Sequence, residues 1–155
     1  MLDNSDEKHI LLLIDVDNFQ AVNDGLGHDI GNEVLKKVAQ TLQANFSQCL
    51  IGRASGDTFC VYLPADSIEE QEAAIEKLYQ GFANTINIGD NELPISVSVG
   101  VASTEECENN SNNLFKNAGI ALKYAKSNTK GKHQFFDSAM DEQLKLRLNV
   151  IKELK

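Results

Sequence analysis

No stretch of this chain has the roughly 20 consecutive apolar residues that a membrane-spanning helix needs, so the sequence offers no span and no membrane contact is expected. No basic segment followed by an apolar run opens it, so no secretory leader is expected either. Cysteine is scarce. Cys49, Cys60 and Cys107 are odd in number and lack metal-ligand spacing, which fits reduced thiols in the cytoplasm rather than a disulfide framework. Positive charge is short as well: 14 Lys and Arg against 23 Asp and Glu give a net charge of -9. A general binder of nucleic-acid polymers displaces phosphate counterions with positive charge, so that class is excluded. One nucleotide in a pocket is not excluded, because a metal ion and a few lysines can supply the local field. No internal repeat and no low-complexity segment occurs.

What remains is a chain of 155 residues, 42% hydrophobic, the size of one domain with a real core. "HILLLIDV" (His9 to Val16) is a continuous apolar run ending in a carboxylate, the pattern of a strand buried on both faces. "GHDIGNEVLKKVAQTLQANF" repeats Val34, Val38, Leu42 and Phe46 at four-residue steps, an amphipathic helix. "CLIGRASGDTFCVYLP" reads as two strands around a tight turn, closed by Pro64. A second helix follows, with Ser67 and Glu70 at capping-box spacing and Ile75, Leu78 and Phe82 as its apolar stripe. "INIGDNELPISVSVGVAS" reads as strand, Gly-Asp-Asn turn and an alternating strand through Ile95, Val97, Val99 and Val101. "NNLFKNAGIALKYAKSN" is a third helix, "HQFFD" a short strand, and residues 138–155 a charged helix with Leu144, Leu148 and Ile151 on one stripe. "EECENNSNN" is a polar loop. The order predicts an α+β sandwich with helices over a mostly antiparallel sheet, close to a ferredoxin-like βαββαβ core.

Two carboxylates stand at the end of the first strand. Asp15 is costly there unless it is paired or meets a cation. The plainer alternative has Asp17 or Asn18 capping the next helical turn and Asp15 at the solvent rim. An EF-hand is excluded: counted from Asp15, the sixth residue is Gln20 and the twelfth is Leu26. Asp57, in the turn of "RASGDTF", is either a favoured turn residue or a partner of Asp15. Two carboxylates and a backbone carbonyl would suit Mg²⁺.

"LLLIDVDNFQAVNDGLGHDIGNEVL", "RASGDTF", "SVSVGVA" and "ALKYAKSNTKGKHQFFD" occur in that order. Together they resemble the GGDEF domain family, the diguanylate cyclases, from about His9 to Asp137. The resemblance implies a five-stranded, mostly antiparallel sheet related to nucleotidyl cyclases. It implies a reaction in which two facing domains, each holding GTP and two Mg²⁺ ions, make cyclic di-GMP. Asp15, the Val16 carbonyl and Asp57 match metal-ligand positions. Asn23 matches a guanine-contacting asparagine, and Asn32 the aspartate that accepts from guanine. Lys126 and Lys130 match the basic pair on the terminal phosphates, against a bland reading as a solvated lysine face. Phe19, Ser55 and Gly56 fall at positions bordering the nucleotide.

The departures from the family pattern shape the expected function. The signature is Ser55-Gly56-Asp57-Thr58-Phe59, with Ser55 for glycine and Thr58 for the catalytic glutamate. A threonine hydroxyl carries no charge near neutral pH, and losing such a carboxylate commonly costs roughly a hundredfold or more in rate. Asn32 offers an amide donor to a donor on guanine, a mismatch of roughly 1–3 kcal/mol. Gln20 stands where lysine is usual. Phe46 and Cys49 occupy the two charged positions of the product-inhibition motif. The expectation is a degenerate GGDEF domain (1–137) with weak GTP and Mg²⁺ binding. A linker helix (138–155) would lead to an EAL phosphodiesterase domain in a larger signalling protein. The family's preceding helix, with its Asp-x-Leu-Thr segment, is expected to lie outside this sequence. The alternatives are an active cyclase and a nucleotide-free interaction module that forms homodimers, with the last helix as a coiled-coil contact.

Overall fold

The computed structural model describes residues 8–104, 111–128 and 131–137. The expectations for Cys107, for Lys130 and for the helix over 138–155 lie outside the described residues. Strand β1 (His9–Val16) leads into helices α1 (Phe19–Leu26) and α2 (His28–Asn45). The hairpin of β2 (Leu50–Ser55) and β3 (Thr58–Pro64) follows, then α3 (Ile68–Gly81). A small hairpin, β4 (Ile86–Ile88) and β5 (Asn91–Leu93), precedes β6 (Val97–Ser103), α4 (Ser111–Asn128) and β7 (His133–Phe135).

The main sheet runs β2-β3-β1-β6-β7. Its neighbours are antiparallel except β6 and β7, which α4 connects as a parallel crossover. This is the βαββαβ order with one strand added at an edge, as the element order predicts. Strand β1 sits at the centre, and every residue from Ile10 to Val16 is buried. Its side chains alternate between two cores. Ile10, Leu12, Ile14 and Val16 join Val34, Val38 and Leu42 of α2 and Ile75 and Leu78 of α3. Leu11 and Leu13 join Leu114, Ala118 and Leu122 of α4. Each large aliphatic side chain fully buried this way contributes about 1.5–3 kcal/mol, so β1 is the fold's anchor and a rigid base for whatever stands at its end.

Four local findings differ from the pattern. Helix α1 was not among the predicted elements. It has only eight residues, none fully buried, and starts at Asn18 in a left-handed conformation (φ 58°) without a side-chain cap. About two turns of helix are too few for an apolar periodicity to be told from a loop in the sequence. The turn at Gly89–Asp90 belongs to a separate two-stranded sheet. Strand β6 begins at Val97, past Ile95, and is buried throughout rather than alternating. Both of its faces are covered, so Ser98 and Gly100 lie under α4 just as the valines lie under α2 and α3. On α3 the cap is half as expected: Ser67 Oγ accepts from the Glu70 amide at 3.2 Å, but Glu70 reaches the Asp66 amide.

Candidate functional site

The sheet register builds the site. Asp15 is opposite Thr58 on β3 and opposite Ser98 on β6. Side chains directly across neighbouring strands share a face, so Thr58, Asp15 and Ser98 form one polar row beneath the last turn of α4. Asp15 is 4% exposed, so it does not lie at the solvent rim. Its oxygens each take a donor: the Thr58 hydroxyl gives a hydrogen bond to Oδ1 at 3.0 Å, and the Lys126 ammonium contacts Oδ2. The ion pair with Asp15 raises the Lys126 pKa above its ordinary value, and the carboxylates of Asp57 and Asp17 act the same way against some desolvation. Asp57 is half-buried in the β2–β3 turn, and its carbonyl accepts from the Val16 amide at 3.4 Å. The turn therefore does lie beside the end of β1, bringing Asp15, Val16, Asp57, Thr58 and Lys126 together.

Arg53 fixes that turn. Its Nε donates to the Gly56 carbonyl at 2.7 Å and its guanidinium lies 5.7 Å from the Phe59 ring centre. No sequence signal singled it out. Ser55 and Gly56 are exposed, neither has positive φ, and a side chain at Gly56 would meet open space. The fold itself does not demand glycine at either place.

Asp17 belongs to a different construction. It caps no helical turn. Its carboxylate accepts from Ser96 Oγ at 2.7 Å and Ser98 Oγ at 2.6 Å, and its amide donates to the Ser96 carbonyl at 2.8 Å. Ser98 Oγ in turn accepts from the Gly131 amide at 3.1 Å, which ties in the turn after α4. Nearby, Tyr79 donates to the Val97 carbonyl at 3.1 Å. Burial, and secondarily the Asp17 charge, push this phenol well above its usual range. Asp17 and its serines were absent from the predicted site.

A second locus lies between α1 and α2. The Phe19 ring and the Asn23 amide both cover Gly31, where an added Cβ would strike Asn23 Oδ1. Glycine is needed here for close approach. The next residue, Asn32, is exposed and lines a cleft of about 470 Å³ with Leu35, Lys36, Ile51, Arg53 and Phe59. Gln20 is exposed and bonds Asp24 at 3.0 Å. Phe46 is buried under Lys77, and Cys49 is half-buried. Burial raises the Cys49 and Cys60 thiols above their ordinary pKa, which leaves both as poor nucleophiles at neutral pH.

The oxygen donors of Asp15, Val16 and Asp57 are of the hard type that Mg²⁺ takes. The Lys126 ammonium stands in for a cation on Asp15, so the donor chemistry fits one such ion once Lys126 moves aside. Among the described residues no group of three or more His, Cys, Asp or Glu side chains is arranged to hold a metal. No helix among them is long and apolar enough to cross a membrane.

Known proteins share this architecture. A family model described as diguanylate cyclase, GGDEF domain, matches residues 2–132. MucR of Pseudomonas aeruginosa, a bifunctional diguanylate cyclase/cyclic di-GMP phosphodiesterase, is 30% identical over 151 residues, covering 97% of this chain and 22% of MucR. The solved GGDEF domain of TpbB (YfiN) from Pseudomonas aeruginosa has a TM-score of 0.85 and 26% identity, over 90% of this chain and 83% of that one. An EAL/GGDEF domain protein from M. capsulatus has a TM-score of 0.79 and 31% identity, over 86% and 88%. The chain spans about a fifth of the length of the first curated relatives it matches.

Proposed function

The chain belongs to the diguanylate cyclase GGDEF domain family, and from that premise we propose that it is a regulatory member. It binds GTP with Mg²⁺ weakly, makes little cyclic di-GMP, and passes nucleotide occupancy to a neighbouring domain, for which an EAL phosphodiesterase is the natural candidate. The observation that carries this reading is the hydrogen bond from Thr58 to Asp15. A neutral hydroxyl sits directly across from the site's buried carboxylate, where the family signature has a glutamate. It steadies Asp15 but cannot take a proton from an attacking hydroxyl.

In this reading each residue keeps a defined task. Asp15, the Val16 carbonyl and Asp57 would hold the metal. A bound Mg²⁺ supplies charge stabilisation to the phosphates and eases deprotonation of the attacking hydroxyl. Lys126 turns from Asp15 toward the terminal phosphates, and Lys130 joins it. Asn23 and Asn32 read the base beside the cleft between α2 and the β2–β3 hairpin, with Phe19 and Asn23 covering Gly31 and Ser55 and Gly56 leaving the hairpin open to the nucleotide. The Asn32 amide donor weakens the grip on guanine. Two such domains facing one another would be needed for turnover, so any activity depends on homodimer formation.

The same assembly of Asp15, Asp57 and Lys126 favours a second reading, a slow but working cyclase. Calorimetric titration with GTP in Mg²⁺, with ATP as control, tests the first. Saturable heat from GTP and not ATP supports it. No heat at millimolar GTP replaces it with a nucleotide-free interaction module. A cyclic di-GMP assay then decides the catalytic question. Thr58→Glu is expected to raise product formation by about a hundredfold, and a wild-type rate already typical of enzymes overturns the regulatory reading.

A further inference from the structure

Asp15 is deeply buried, and a buried carboxylate holds its charge only with donors or a cation beside it. Here the chain supplies both donors itself, and they differ in kind. Thr58 is fixed on Oδ1 by the register of β3 against β1. Lys126 reaches Oδ2 from the last turn of α4 on four methylenes, and its side chain is 40% exposed. One donor is part of the sheet. The other can swing to water or to a ligand.

A glutamate at position 58 would place a second negative charge directly opposite Asp15, more than one ammonium could balance. Threonine removes that charge and adds a donor, so Lys126 alone completes the neutralisation of Asp15. A divalent cation approaching Asp15 and Asp57 therefore meets an ammonium already seated on its principal ligand. A polyphosphate changes this, because its oxygens give the ammonium a stronger set of acceptors and so free Oδ2.

We propose that Lys126 is a resident counter-ion of Asp15, so that this site takes a divalent cation only together with a polyphosphate that draws Lys126 away. The inference rests on the reading that the site accepts a nucleotide with a metal, and needs no cyclase activity.

The test uses Mn²⁺ as a paramagnetic probe, titrated without nucleotide into the wild-type chain and into Lys126→Gln and Lys126→Met. The glutamine keeps a hydrogen-bond donor near Asp15, so the comparison survives if the methionine variant folds poorly. The wild type is expected to show no saturable Mn²⁺ signal. Lys126→Gln is expected to bind at least about tenfold more tightly, because a unit charge within a few ångströms of the ion has gone. Its melting temperature should rise with Mn²⁺, since a ligand that binds only the folded state stabilises it. Adding Asp15→Asn to that variant should abolish both effects. Equal Mn²⁺ affinity in wild type and Lys126→Gln overturns the proposal, whether both bind or neither does. A GTP titration run alongside keeps the two readings apart: absence of GTP heat removes the nucleotide reading, while the Mn²⁺ comparison still decides the role of Lys126.

Discussion

Asp15 and Asp17 leave the end of one strand two residues apart, at 4% and 8% exposure, and their surroundings answer the same burial cost in opposite ways. Asp15 is balanced by one fixed hydroxyl and one ammonium on a long, half-exposed arm. Asp17 is balanced by two serine hydroxyls and a backbone contact, all from the strand entry at residues 96–98. The first arrangement has a part that a ligand can replace. The second is closed, since Ser98 also receives the Gly131 amide and so links β1, β6 and the turn after α4. The difference separates a carboxylate held ready for exchange from one that holds the site's walls together.

Removing each carboxylate in turn breaks the comparison most directly. Asp17→Ala leaves the wholly buried Ser98 hydroxyl without its acceptor. Hydrogen bonds to a charged group contribute about 1.5–3 kcal/mol, so the loss of this cradle should lower stability by about 3 kcal/mol in chemical denaturation. Asp15→Ala frees a lysine that can turn to water and a half-buried threonine hydroxyl, and should cost no more than about 1 kcal/mol. Equal costs would mean that the two aspartates are equally structural. In that case the exchangeable character assigned to Asp15 would be lost.

The contrast also marks the limit of what the sequence made legible. Strand β1 could be read to its ends because an unbroken apolar run has few other uses. The stripe of α2 and the turn at Ser55–Asp57 were legible for similar local reasons. Helix α1 was not, being short and without a fully buried residue. The polar contacts were harder still. Asp17 meets its serines across 79 and 81 residues of chain, and Lys126 meets Asp15 across 111. No local periodicity encodes such pairs. Resemblance to a family pointed to Asp15 and Lys126 singly, but their contact, and the donor role of Thr58, came only with the three-dimensional arrangement.

The α1–α2 locus offers a sharper version of the same test. Gly31→Ala puts a methyl group against Asn23. Overpacking costs typically 1–3 kcal/mol, while alanine gains about 1 kcal/mol over glycine within a helix. Helix α1 has no fully buried residue to resist a shift, so the net stability change should stay near about 1 kcal/mol. The nucleotide response should fall much further, because the Asn23 amide is displaced. A variant that loses stability and keeps its GTP heat would place the base contact elsewhere.

The smallest effect concerns the neighbourhood of Asp17. His133 lies on β7 opposite Val99, 6.3 Å from Tyr79 between ring centres and 5.4 Å from Phe135. Burial lowers its pKa below the ordinary 6.5, with the Glu72 charge opposing. The folded chain therefore binds this proton less readily than the unfolded chain does. As pH falls through the unfolded value of 6.5, the unfolded state takes up the proton first and stability declines, and the decline is complete below the folded value. Above that window the residue adds no slope. The measurement is the difference between wild type and His133→Gln, unfolded at about pH 8 and about pH 5.5. The two should run parallel at the higher pH, and the wild type should lose more stability at the lower. Because Asp17 is held by the Ser96 and Ser98 hydroxyls and Ser98 in turn by the Gly131 amide, GTP and Mg²⁺ should leave the His133 difference unchanged. A nucleotide-dependent difference would show that the closed Asp17 region moves with the site at Asp15.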